Sequence, residues 1–222
     1  MGRDVLLVEG QDDQYFFQTY SEKVLSNNAL EVYPPKAAAP TTGNGWGNLI
    51  KNLPILLGEL KNGNIDKLGI ILDADYPPDN SGGFSERYNK VIEKLKTAGY
   101  IIPTAANAGK GDIFQHSNGL EPIGLWIMPN HQDNGMLENF IESMITSIQQ
   151  KSLLNHAQKS IDDLPVTLFD KQLHTAKAKI FTWRAWQTEP GLSPNKALND
   201  SLLDLDQTTA ANFTRWLQTV FA

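Results

Sequence analysis

The stretch IILDADYPPDN, residues 70–80, decides how the chain is read. An apolar run from Gly69 to Leu72 leads directly into two carboxylates, Asp73 and Asp75, and then into a proline-rich turn. The run is short, β-branched and bounded by turn residues, so it predicts a buried strand. One aspartate at a strand end serves as a cap or turn residue. Two, at positions i and i+2, project to one face and can share a cation. Asp79, among PPDNSGG, reads as a plain turn residue.

Outward from that strand the pattern alternates. DVLLVEG (4–10) is an expected strand ending in Glu9 and Gly10, followed by a helix to about Leu25 with Asp12 as its N-cap. LEVYPP is a short strand closed by prolines, and AAAPTTGNGWGNL a loop of small residues. A helix is expected over 46–61, kinked or restarted at Pro54. After KLGIILDAD comes an amphipathic helix, FSERYNKVIEKLKTAGY, with a glycine stop. IGLWIMP is another strand, NHQDNG a loop, and MLENFIESMITSIQQ a helix. The order βαβαβαβα predicts an α/β domain over residues 1–150, with a mainly parallel sheet flanked by helices. Residues 151–222 read as helical, over 151–163, 170–186 and 205–221, with EPGLSPN interrupting. This region is expected to pack on the sheet, because Trp183, Trp186, Phe213 and Trp216 give it more apolar surface than it could bury alone.

The chain has 222 residues, 41% of them hydrophobic, enough for a real core. It has no cysteine, which excludes disulfides and thiolate chemistry. No apolar run approaches the roughly 18 residues of a membrane span, and the N-terminus lacks a signal-peptide pattern. A cytoplasmic protein with no membrane partner is expected. The net charge of −6 argues against broad basic patches and strong non-specific nucleic-acid binding.

In an open parallel sheet, sites form at the carboxyl ends of the strands. Here those ends carry Glu9, Asp73 and Asp75, and the strand GLWIMP leads towards Glu138 early in its helix. Asp13 follows Glu9 by about one helical turn and can face the same crevice, or can complement the helix dipole. Glu138 is either a member of the site or an ordinary first-turn glutamate. Such hard oxygen donors suit Mg²⁺ or Mn²⁺, which keep waters and bind substrate phosphate. The histidines, at 116, 131, 156 and 174, show no zinc spacing and are expected at the surface. AGKGD is not a P-loop: Thr104 replaces its first glycine and Gly111 its Ser/Thr. TTGNGWGNL reads as a flexible turn or a phosphate cradle. Trp183, Trp186 and Phe181 are expected in the core rather than in base stacking.

VEGQDD with ILDAD resembles the Toprim fold, a glutamate after the first strand and Asp-x-Asp after a later one. LWIMP, GMLENFI and FTWRAWQTEPG resemble later blocks of a family of stand-alone bacterial Toprim-like proteins of unknown function. The resemblance covers most of the chain. It implies relatedness to nucleases of the overcoming-lysogenization-defect type, whose second acid matches Asp13. A later glutamate and a C-terminal lysine complete that site, which Glu138 and either Lys177 or Lys179 fit. The sequence departs from the more acidic form expected at MPNH, so Asn130 and His131 are not carried over as ligands. The implied function is a Mg²⁺- or Mn²⁺-dependent nuclease with Glu9, Asp13, Asp73, Asp75 and Glu138 as ligands, and Glu9, Asp73, Asp75, Glu138 and Lys179 in catalysis. Nucleic acid and a separate ATPase are its implied partners. Two alternatives stand beside it: a non-catalytic binding or effector module for protein, nucleic acid or nucleotide, and a phosphatase using an aspartyl nucleophile. On the metal reading, Asn at either Asp73 or Asp75 should leave metal-free stability unchanged or higher, since close carboxylates repel.

Overall fold

A computed structural model of the chain describes residues 2–26, 30–38, 43–77 and 82–221, residues 37 and 38 by backbone alone. Asp79 and the first residues of TTGNGWGNL lie outside the described residues. The strands are β1 (Arg3–Leu7), β2 (Leu30–Tyr33), β3 (Ile65–Asp73), β4 (Asp112–Phe114) and β5 (Ile123–Met128). They form one sheet of order β2-β1-β3-β5-β4, parallel except for the antiparallel pairing of β4 with β5. The chain leaves β1 for β2 on one side and returns to β3 on the other. The strand order therefore reverses between β1 and β3, and a crevice opens beyond their carboxyl ends.

Side-chain alternation builds two cores from one sheet. Leu6, Val8, Ile71, Trp126 and Met128 face one layer, and Val5, Leu7, Ile70, Leu72, Leu125 and Ile127 face the other. Covering the second layer are α3 (Trp46–Lys61), which follows the short α2 (Pro35–Ala38), and α4 (Phe84–Thr97). The first layer is covered by α1 (Gln11–Val24) and α5 (Leu137–Ser143), together with α6 (Ile148–Asp162), α7 (Lys171–Ala185), α8 (Pro194–Asn199) and α9 (Thr208–Phe221). The helical C-terminal region thus shares its core with the sheet. Gly69 and Gly124, paired in register across β3 and β5, give α9 its seat. A Cβ at Gly124 would stand 2.4 Å from the Val220 side chain, and one at Gly69 2.9 Å from the Phe221 ring. Tyr20 of α1 donates to the Ala210 carbonyl of α9 at 3.0 Å and locks the two helices across this layer.

Several expectations are corrected. MLENFIESMITSIQQ is two helices, because Met144 and Ile145 turn into the core and Ser147 caps α6 by accepting from Gln150 N–H at 3.2 Å. The Met144 carbonyl, freed from helical pairing, accepts from Asp204 N–H at 2.8 Å. Gly10 rather than Asp12 occupies the N-cap of α1, and Asp12 stands exposed in the first turn, where its charge complements the helix dipole. Pro54 sits inside an unbroken α3, on its exposed face. Neither β4 nor α8 was expected, each being too short to show a period.

His131 is fully buried, not at the surface. Its Nδ1 accepts from Ile127 N–H at 3.0 Å, so the proton lies on Nε2, which donates to Asp112 Oδ2 at 3.0 Å. Asp112 comes from the unexpected β4, which is why no pattern announced this pair. Trp183 is core, with its Nε1–H donating to Gln150. Trp186 and Phe181, however, are 39% and 47% exposed. Among the described residues no helix is long and apolar enough to cross a membrane.

Candidate functional site

The strand ends that form the crevice are tied together by their own acids. Glu9 follows β1, and its Oε1 accepts from the Asp73 backbone N–H at 2.9 Å, bridging to the end of β3. Its carbonyl accepts from Gly45 N–H at 2.8 Å, drawing the start of α3 to the rim. Asp73, the last residue of β3, accepts through Oδ1 from Leu137 N–H at 3.0 Å, and so fixes the first turn of α5. Beyond Ala74 the backbone of Asp75 takes φ 60°, and Asp75 and Gly135 exchange backbone hydrogen bonds of 2.8 and 3.2 Å. This clamp holds the β3 end against the loop before α5. Aspartate tolerates the left-handed region better than most residues, which suits it to the bend.

Asp75 is paired with Arg87 of α4 at 2.8 Å. The Arg87 side chain is 5% exposed, and Trp46 covers its guanidinium face at 3.7 Å. Arg87 Nε and Nη1 are buried and have no hydrogen-bond partner. Sequence reasoning missed this residue. The available signal was its place on the buried face of α4, with Tyr88, Val91 and Leu95.

Asp13 is the third residue of α1 and receives a hydrogen bond from the Gly10 backbone. Glu138 is the second residue of α5. All five predicted ligands, Glu9, Asp13, Asp73, Asp75 and Glu138, line one cavity of about 520 Å³, with Asp12, Arg87, His174 and Lys177 on its walls. The two candidate lysines separate here. Lys177 lines the crevice, whereas Lys179 is bound to Glu142 of α5 at 2.5 Å.

Burial first, and then the crowding of acids, sets the electrostatics. Burial pushes Glu9 up to about 8, and the charges of Asp75 and Asp13 add to it against the pull of the Asp73 N–H. Asp13 rises to about 6, first through burial and then through Glu138 and Asp12. Asp73 rises well above the carboxylate range, by burial and then by Asp13, Glu9, Asp75 and Glu138. Glu138 is raised by burial and partly relieved by Lys177. The crevice therefore favours the protonated forms of Glu9 and Asp73, a tendency that a bound cation would offset.

The donor set fits Mg²⁺ or Mn²⁺: all-oxygen, rich in charge, and open to the cavity. Among the described residues no three such groups already stand in ligand geometry around one point. Mg²⁺ asks for less than that, one or two carboxylates with waters and a substrate phosphate. Glu9, Asp73 and Asp75 each commit one oxygen to a protein donor, which fixes the carboxylates without closing the site.

No curated protein and no solved structure matches the chain. A family model described as protein of unknown function (DUF3226) matches residues 3–222, and the chain belongs to that family.

Proposed function

We propose that this member of the DUF3226 family is a divalent-metal-dependent phosphoryl-transfer enzyme of the Toprim type, acting on nucleic acid as a nuclease. One observation carries the reading. Carboxylates from just beyond β1, from α1, from the end of β3 and from the start of α5 line one crevice at the switch point of the sheet, where α/β folds hold their ligands. Mg²⁺ or Mn²⁺ would be held by Glu9, Asp13, Asp73, Asp75 and Glu138, and when bound supplies an activated water and polarises a phosphoryl oxygen.

The residues of the chain do the remaining work. Glu9 and Asp73 hold the ends of β1, β3 and α5 in fixed relation through their backbone hydrogen bonds. Arg87, stacked on Trp46, sets the position of Asp75. Lys177, which lines the crevice, is the cation that can offset the charge of a phosphate, in place of Lys179, which the resemblance put in catalysis and which is paired with Glu142. A separate ATPase is the protein partner that the Toprim resemblance implies.

The same hydrogen bonds support a second reading. Three of the acids are engaged within the fold, as expected of a binding or effector module whose acids are structural. A cleavage assay separates the two. Single- and double-stranded oligonucleotides are incubated with Mn²⁺ or Mg²⁺, with and without EDTA. The nuclease reading expects metal-dependent products, lost by at least about 100-fold in Asp73→Asn while the fold persists. Oligonucleotide binding without products under either metal would establish the binding module instead.

A further inference from the structure

In a chain of net charge −6, α7 carries Lys171, Lys177, Lys179 and Arg184 and no acidic residue. The spacing of Lys177, Phe181 and Arg184 puts them on one face of the helix. Lys177 Nζ lies 5.8 Å from the centre of the Phe181 ring, and the Arg184 guanidinium 4.7 Å from it. Arg184 is held in place by donating to the Leu192 carbonyl at 2.5 Å. Phe181 is 47% exposed, and Tyr15 of α1 is 52% exposed. Burial in the core does not account for either ring, since α7 turns Ile180 and Trp183 inward instead.

While Lys177 lines the neighbouring crevice, Tyr15, Phe181 and Arg184 line a cavity of about 230 Å³ with Asp12, Ser193 and Asn195. It is smaller than the roughly 300 Å³ at which whole-ligand pockets begin, and so suits a single ring system. Asp12 lines both this slot and the acidic crevice, so the two adjoin. Aromatic faces beside fixed cations, along an otherwise acidic protein, are the arrangement by which single strands are held: cations track the backbone and bases stack. A duplex offers no free base face to such a slot.

We infer that α7 and this slot bind a single strand of nucleic acid, its backbone along Lys177 and Arg184 and one unpaired base against Tyr15 and Phe181. The inference deepens the nuclease reading and rests on it for the identity of the polymer. Asp12, Ser193 and Asn195 offer polar groups to the edge of the base.

The test is fluorescence anisotropy with labelled oligothymidylate, in EDTA, where cleavage plays no part. A blunt duplex of equal length is the comparison. Wild type is expected to bind the single strand at least about tenfold more tightly than the duplex. Phe181→Ala and Tyr15→Ala should each weaken single-strand binding by about tenfold, and both positions are exposed enough to spare the fold. Lys177→Gln should lower the salt dependence by about one counterion. Equal affinity for the two probes, or wild-type affinity in both aromatic variants, would overturn the inference even if cleavage is observed. Loss of binding in those variants, in a protein that cleaves nothing, would uphold the track and overturn the nuclease reading.

Discussion

Asp75 holds Arg87 at 2.8 Å, and Trp46 covers the other face of that guanidinium. Asn at position 75 would leave a buried cation without its counter-charge. Breaking a fully buried pair costs roughly 3–5 kcal/mol. Asp75 is 37% exposed, so water screens part of this, and a loss on the order of 1–2 kcal/mol is expected. Asp73 differs. Its carboxylate meets other acids, and asparagine keeps an oxygen for Leu137 N–H. Metal-free urea unfolding should therefore show Asp75→Asn destabilised and Asp73→Asn unchanged or more stable. The sequence suggests equal behaviour for the pair, and only the partner on α4 separates them. Glu9 supplies a further check. Its folded value, about 8, lies above its ordinary value, so its contribution is complete below about 4.5 and is lost as pH rises through about 8. Thermal unfolding in EDTA should thus show stability declining from pH 5 to 8, with a smaller decline in Glu9→Gln. A flat profile in wild type would show that the Glu9 carboxyl is not held among the acids of the crevice.

At the level of elements, the seat of α9 makes a sharp demand on two strands. The Cβ of an alanine at 124 would fall 2.4 Å from Val220 and 2.9 Å from Trp216. Gly124→Ala should cost about 1–3 kcal/mol by overpacking. Gly58→Ala, in α3 with no atom near the added methyl group, should stabilise by up to about 1 kcal/mol. Denaturant midpoints of the two variants should move in opposite directions. What was legible in the sequence follows from the same physics. The long strands announced themselves because an apolar run in a parallel sheet is buried on both faces. The acids at their ends were legible because the carboxyl edge is where sites form. β4 was not legible, because three residues carry no period. Arg87 was hidden among surface charges, since its pairing with Asp75 crosses the turn after β3 and its stacking on Trp46 reaches a different helix. Lys177 and Lys179 both fitted the resemblance, and the preference for Lys179 had no physical basis in the sequence; the rotation of α7 puts Lys177 on the crevice and Lys179 on Glu142.

At the scale of the whole molecule, the chain puts its charges to two uses in one region. Acids gather at the switch point, and α7 brings cations alongside them from the far end of the sequence. Helical patterning identified the C-terminal region, but the way it folds back over the sheet depends on Gly69 and Gly124, whose smallness means little until a ring is placed above them. The hydrogen bond from Tyr20 to Ala210 spans 190 positions. At about 5–20 residues per second of synthesis, a nascent chain waits roughly ten to forty seconds between making those two residues. From its own synthesis to the end of that interval, each of Leu6, Ile71 and Trp126 has no α9 to cover it. A ribosome arrested before residue 208 therefore carries a sheet face that the earlier helices cover only in part, with the seat of α9 open to water until translation supplies it.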